Sequence, residues 1–198
     1  MTRSKKMIGI DFGTTRSCVA VFQHGRIEII KNNGSDTTPS VVEFFTENGR
    51  LVGDEASFQR SVNYKNTVHG VKRLIGRTLK DPALKSDSKH WPFTVVKTDD
   101  AHRTKIQVDY KNETKTFIPE EICSMILLKM KNLAEIYLDE AIDSAVITVP
   151  ASFSYFQRLA IQNAGTIAGL RVIHLINEHL AAALAYFYSN KVISNCNF

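Results

Sequence analysis

The run Gly9-Ile10-Asp11-Phe12-Gly13-Thr14-Thr15 has the residue types of an anion-binding turn. An apolar strand places Asp11 at its exposed end, and Gly13 lets the chain turn tightly after it. Thr14 and Thr15 then offer backbone N–H groups and hydroxyls. A phosphate needs such a nest of donors, and a nearby carboxylate can hold the Mg²⁺ that partly neutralises it. The same residues suit an ordinary β-turn equally well. Neither GxxxxGK[ST] nor GxGxxG is present, so the turn taken alone leaves both readings open. Other chemistries have less support. The six histidines include no HExxH and no pair at ligand spacing. Cys18, Cys123 and Cys196 are far apart and odd in number, which gives neither a disulfide framework nor a CxxC knuckle and points to a reducing compartment.

The elements that must position these residues follow from periodicity. The 198 residues are 43% hydrophobic and 23% charged, the composition of a soluble globular protein. The net charge of +5 is scattered without a basic stripe, so no nucleic-acid partner is expected, and no apolar run is long enough for a membrane span. The basic N-terminus reaches Asp11 too soon to be a signal peptide, and a cytoplasmic location is expected, with the nucleus as a further one. Strands are expected at 7–12, 17–23, 26–31 and 41–45, then a helical stretch from Gly53 to Thr78 with a break near His69-Gly70. Further strands are expected at 93–96, 105–110 and 115–118. Pro119 opens the clearest helix, with Ile122, Ile126, Met130, Leu133 and Tyr137 as one buried stripe. The last third alternates: strand 145–149, helix 154–168, strand 172–176 and helix 178–186. That order implies parallel strands joined by crossovers. The expected fold is an α/β ribonuclease-H-like core of residues 1–40 and 118–198, with 41–117 as an inserted α+β subdomain.

Longer motifs narrow the reading. GIDFGTTRSCVAVFQHG, VKRLIGR, HWPF, VITVPASF, QRLAIQNAGTIAGL and INEHLAAALAY, in this order, closely resemble the 70-kilodalton heat-shock protein (chaperone) family from about Met7 to about Tyr186. A sugar kinase or actin relative shares the aspartate-glycine-threonine turn but not VKRLIGR or NAGTIAGL in these positions. The resemblance implies lobe I of an actin-like ATPase domain that binds ATP or ADP with Mg²⁺ and couples hydrolysis to protein folding. It makes Asp11 a water-mediated Mg²⁺ ligand and Gly13, Thr14 and Thr15 the phosphate turn. Lys72 becomes the lysine that reaches the γ-phosphate and the attacking water, and Glu178 the acid near metal and water. Pro150 and Arg158 match residues that relay nucleotide state. Read without the family, Lys72 is a solvated helix lysine, Glu178 a helix-start acid, and Pro150 and Arg158 a helix-entry proline and a surface arginine.

Three departures stand out. Arg16 replaces a residue that is commonly tyrosine or asparagine, and adds a cation beside the expected phosphate turn. His179-Leu180 replaces Pro-Thr after the glutamate and is expected to loosen Glu178. Ser152, Ser154 and Tyr155 alter the segment after Pro150. After Tyr186 the family continues into a second phosphate loop of the DLGGGT type and then lobe II, whereas these residues end at Phe198. On that resemblance one wall of the nucleotide site is expected here, with an apolar face where the lobes would meet. The alternative reading is a non-catalytic paralogue that binds co-chaperones or nucleotide-exchange factors.

Overall fold

The computed structural model describes residues 6–45, 47, 49–78, 80–97 and 104–189. Strand β1 (Met7–Asp11) sends Ile8 and Ile10 into the core and leaves Asp11 on the opposite face. It turns through Gly13 into β2 (Arg16–Gln23), which pairs antiparallel with β3 (Arg26–Ile29). The His24-Gly25 link has positive φ at both residues, the backbone that matches the twist of a two-residue hairpin. A short β4 (Thr38–Pro39) joins the start of β2, and β5 (Val41–Phe45) follows at once.

Between 41 and 117 the chain forms two further three-stranded sheets. One is centred on β5, flanked by β6 (Gly49–Val52) and β7 (Thr67–His69). The other is β8 (Thr94–Lys97), β9 (Thr104–Tyr110) and β10 (Glu113–Phe117), with β9 in the middle. Two short helices, α1 (Asp54–Phe58) and α2 (Pro82–Asp87), lie in the same stretch.

The helix expected from Gly53 to Thr78 is therefore mostly replaced. Beyond α1 there are single 3₁₀ turns at Tyr64–Asn66 and Val71–Arg73, with β7 between them. Local bonds explain the interruption. The Asn63 side chain donates to the Phe44 carbonyl, and the Thr67 hydroxyl donates to the Asn63 carbonyl. Such bonds compete with helical ones, and the β-branched pair Thr67-Val68 gains a buried ladder on β5 instead. Helix α2 was not anticipated, although Asp81-Pro82 is a helix-start signal: Asp81 accepts from the Ala83 N–H and Pro82 occupies the first turn.

After β10 the long helix α3 (Pro119–Leu138) covers the main sheet. Its first turn is fastened by the Glu121 carboxylate, which accepts from the Ile118 N–H at 2.8 Å. Ile122, Ile126 and Met130 are wholly buried in one core with Ile8, Ile10 and Ile147. The expected stripe ends early. Leu133 is partly buried, and Tyr137 is half exposed, its hydroxyl donating to Glu28.

Strand β11 (Ser144–Val149), helix α4 (Tyr155–Ile167), strand β12 (Arg171–Asn177) and helix α5 (Glu178–Ser189) complete the described chain. Ser154 and Gln157 cap α4 reciprocally, and Gly169 leaves it with positive φ. Helix α4 approaches β12 at Gly165, where a Cβ would lie 2.3 Å from a Val172 methyl. The main sheet runs β12-β11-β1-β2-β3, with β4 paired to β2. Its β1–β11 and β11–β12 pairs are parallel and the others antiparallel. This is the mixed α/β architecture expected of the actin-like ATPase lobe. Among the described residues no helix is long and apolar enough to cross a membrane.

Candidate functional site

The turn after β1 is fixed from two sides. Ser40, between β4 and β5, donates its hydroxyl to the Gly13 carbonyl at 2.9 Å and its N–H to the Thr15 carbonyl at 2.8 Å. A Cβ on Gly13 would fall 2.0 Å from the Arg16 carbonyl oxygen, so glycine is required by a close backbone approach. On the other side Thr148, near the end of β11, accepts from the Phe12 N–H at 3.1 Å. Its hydroxyl donates to Asp11 Oδ1 at 2.6 Å. Asp11 is thereby oriented by a neighbour 137 positions away. In the sequence Thr148 lies within VITVPASF with no visible role, because its partner lies on another strand.

Lys72 is not a solvated helix lysine. It sits in the 3₁₀ turn Val71–Arg73, and its side chain is 3% exposed. Its ammonium donates to the Phe12 carbonyl and, at 2.5 Å, to Glu178 Oε1. The rings of Phe12 and Phe153 lie 5.6 and 5.9 Å from the nitrogen. A buried ammonium is tolerated only with such partners. Glu178, at the start of α5, is thus held across the cleft in spite of His179-Leu180 after it.

A cavity of about 520 Å³ opens at this junction, lined by Asp11, Gly13, Thr14, Thr148 and Glu178. Its remaining wall is the alanine face of α5 (Ala181, Ala182, Ala185), which leaves room beside the two carboxylates. Thr14 also faces an adjoining cavity of about 300 Å³, shared with Thr15, His69, Arg60 and Arg73. The two cavities meet at the turn itself. Arg16 lines neither of them. Its guanidinium bonds the Thr37 hydroxyl at 2.5 Å and the Thr37 carbonyl at 2.8 Å, and lies 4.0 Å from Asp54. Its alternation along β2 carries it away from the turn.

Arg158 ties the nearby loop to the acid. It donates to the Pro150, Ala151 and Phe153 carbonyls and, at 3.0 Å, to Asn177 Oδ1, one residue before Glu178. The acidic field of the turn is felt at Cys18, opposite Asp11 on β2: burial, then Asp11 and Asp36, push its thiol above the ordinary range.

Among the described residues no cluster of three or more His, Cys, Asp and Glu could hold a metal by itself. One or two carboxylates beside a turn that offers N–H and hydroxyl donors suit a different donor set. Mg²⁺ keeps several waters and takes the rest of its shell from carboxylate and phosphate oxygens. The residues present fit that mode.

Comparison with known proteins identifies the family. The family model described as Hsp70 protein matches residues 7–193. The chain is 55% identical over 180 residues to a human protein named "Putative heat shock 70 kDa protein 7", covering 90% of this chain and 48% of that one. It is 53% identical over 186 residues to a Neurospora crassa heat shock 70 kDa protein, covering 93% of this chain and 28% of that one. Against heat shock cognate 70 kDa protein 3 of Dictyostelium discoideum it is 53% identical over 185 residues, covering 93% and 29%. The chain spans about half the length of the first relative and under a third of the other two. With the family model matching residues 7–193 and more than half of the aligned positions identical in each of these three relatives, the chain belongs to the Hsp70 family.

Proposed function

We propose that these residues form the lobe I wall of an ATP site, in a protein whose activity is Mg²⁺-dependent ATP hydrolysis coupled to protein folding. The observation that supports it most is the meeting of Asp11, Gly13, Thr14 and Glu178 in one cleft, with Lys72 bonded to Glu178 at its edge. In this reading the N–H and hydroxyl groups of Thr14 and Thr15 bind phosphate oxygens. Asp11, oriented by Thr148, would hold the hydrated Mg²⁺, which when bound would neutralise phosphate charge. Buried Lys72 and half-buried Glu178 form a pair that can orient a water: the ammonium faces the developing negative charge, and the carboxylate accepts the water's hydrogen. Arg158 keeps Glu178 in register with the Pro150 loop.

Calorimetric titration of Mg·ATP into this 198-residue chain tests the reading. One wall excludes little water, so saturable but weak binding, roughly millimolar, is expected with negligible turnover. Asp11→Asn should weaken it about tenfold, the equivalent of ~1.4 kcal/mol. Lys72→Ala should remove whatever single-turnover hydrolysis is measured. Absence of saturable binding, or equal affinity in Asp11→Asn, would overturn the assignment.

A further inference from the structure

The cavity of about 300 Å³ beside the turn shares only Thr14 with the cleft lined by Asp11 and Glu178. Its other walls are basic. Arg60 comes from the turn after α1, His69 from the end of β7, Arg73 from the 3₁₀ turn Val71–Arg73, and His90 from a further 3₁₀ turn, Ser88–His90. Asp87 is the one acid among the lining residues, and it pairs with Arg73 at 3.3 Å. Two arginines against one aspartate leave excess positive charge before either histidine takes a proton.

Arg60 meets a second basic group instead of an acid. Its Nη2 lies 3.0 Å from His69 Nε2, and since a guanidinium only donates, the imidazole accepts there and is neutral. Burial, then Arg60, hold the His69 imidazole below its ordinary proton affinity. The remaining charged groups near it are Arg73, Asp87 and His90 on the cavity wall, while Glu43 of neighbouring β5 is bonded to Asn63. The ring is fixed by packing: Phe93 meets it edge-on at 5.8 Å and stacks on Trp91 at 5.5 Å. Arg60 is exposed and His69 half-buried, and both line the cavity. Nitrogens 3.0 Å apart lie within reach of one acceptor group.

Charge and size decide the ligand. A guanidinium binds phosphate oxygens through paired N–H groups, and a protonated imidazole adds a further charged donor. The two cations repel at this distance unless an anion lies against them, and a doubly charged group offsets both. A tetrahedral oxyanion is small enough for the space. We propose that this cavity is a phosphate-group site separate from the nucleotide cleft. The phosphate oxygens accept from Arg60 and His69, and Arg73 and His90 add positive charge to the same walls. The site is built from these side chains and does not rest on the ATP reading.

Inorganic phosphate is the probe, titrated into the 198-residue chain at constant ionic strength and followed by ¹⁵N NMR. Saturable shifts are expected at His69 and Arg60, with acetate at least about tenfold weaker. Arg60→Gln changes an exposed side chain, so it should melt with the parent. It should bind phosphate at least about tenfold more weakly and leave Mg·ATP affinity as it was. Sulfate keeps its double charge throughout the histidine range and supplies a second reading. The His69 imidazole should titrate about one pH unit higher in sulfate than in chloride, in the parent but not in Arg60→Gln. Phenyl phosphate identifies the source: tighter binding with shifts at Trp91 assigns a phosphate carried on a larger molecule, and equal or weaker binding assigns the free ion. Absence of saturable shifts at His69, equal affinity in Arg60→Gln, acetate as tight as phosphate, or a His69 titration indifferent to sulfate would each overturn the proposal.

Discussion

Single side chains carry the sharpest consequences. By periodicity alone Lys72 reads as any helix lysine, yet its ammonium is enclosed between a carbonyl, a carboxylate and two rings. Glu43 shows the opposite arrangement. It sits in the middle of β5, wholly buried, with Asn63 donating to Oε1 and nothing to Oε2. Burial, only partly offset by Asn63, raises its carboxyl above the usual range. The folded state therefore binds this proton more tightly than the unfolded chain does. Stability is greatest below the ordinary carboxylate pKa and falls as pH rises through the raised one. Glu43→Gln is expected to stabilise the fold at pH 7 by about 1 kcal/mol and to flatten that pH dependence. Thermal melts at neutral and mildly acidic pH would show it. Equal melting of both proteins at neutral pH would mean the ionised carboxylate is solvated after all.

At the scale of elements, the regular segments were legible and the irregular one was not. The apolar run of β1, the alternation along β2, the Pro119 opening of α3 and the helical stretch 154–168 closed by Gly169 are all local patterns, and each became the expected element. Residues 53–78 failed because their conformation is set by contacts with β5 and β9 that local periodicity cannot report. Gly76 marks where that segment is pinned. Its φ is +65°, and a Cβ there would come within 2.5 Å of the Gln157 backbone on α4. Both conditions exclude a side chain, so Gly76→Ala should cost on the order of 3 kcal/mol. Chemical denaturation would measure it. A loss under half a unit of that scale would show that the segment shifts freely against α4.

For the whole molecule, one face of the main sheet is covered by α3 and the other only in part. Phe22 is 61% exposed, with Ile27 and Ile29 beside it on the β2–β3 edge. Tyr188 of α5 meets Phe22 edge-on and donates its hydroxyl to the Gly25 carbonyl, while Leu180, Leu184 and Phe187 remain open. Apolar area of this kind promotes association. The 198 residues expressed alone are expected to self-associate in the micromolar range, and Ile27→Lys with Leu184→Lys to shift them toward monomer. Sedimentation across a dilution series checks this; a monomer at every concentration would mean that the open side chains are too scattered to form a contact.

The sequence by itself determined the family, the strands of residues 7–31, the order of strands and helices in the last third, and the strand-end aspartate with its glycine-threonine turn. Those features depend on residues near one another in the chain, where periodicity, caps and tight turns act. Tertiary structure decided which groups meet. Asp11 finds Thr148 across parallel strands, Lys72 finds Glu178 from 106 positions away, and Arg60 and Arg73 reach one cavity with Thr14. Side-chain convergence of that kind follows from sheet order and helix packing, which no local pattern encodes.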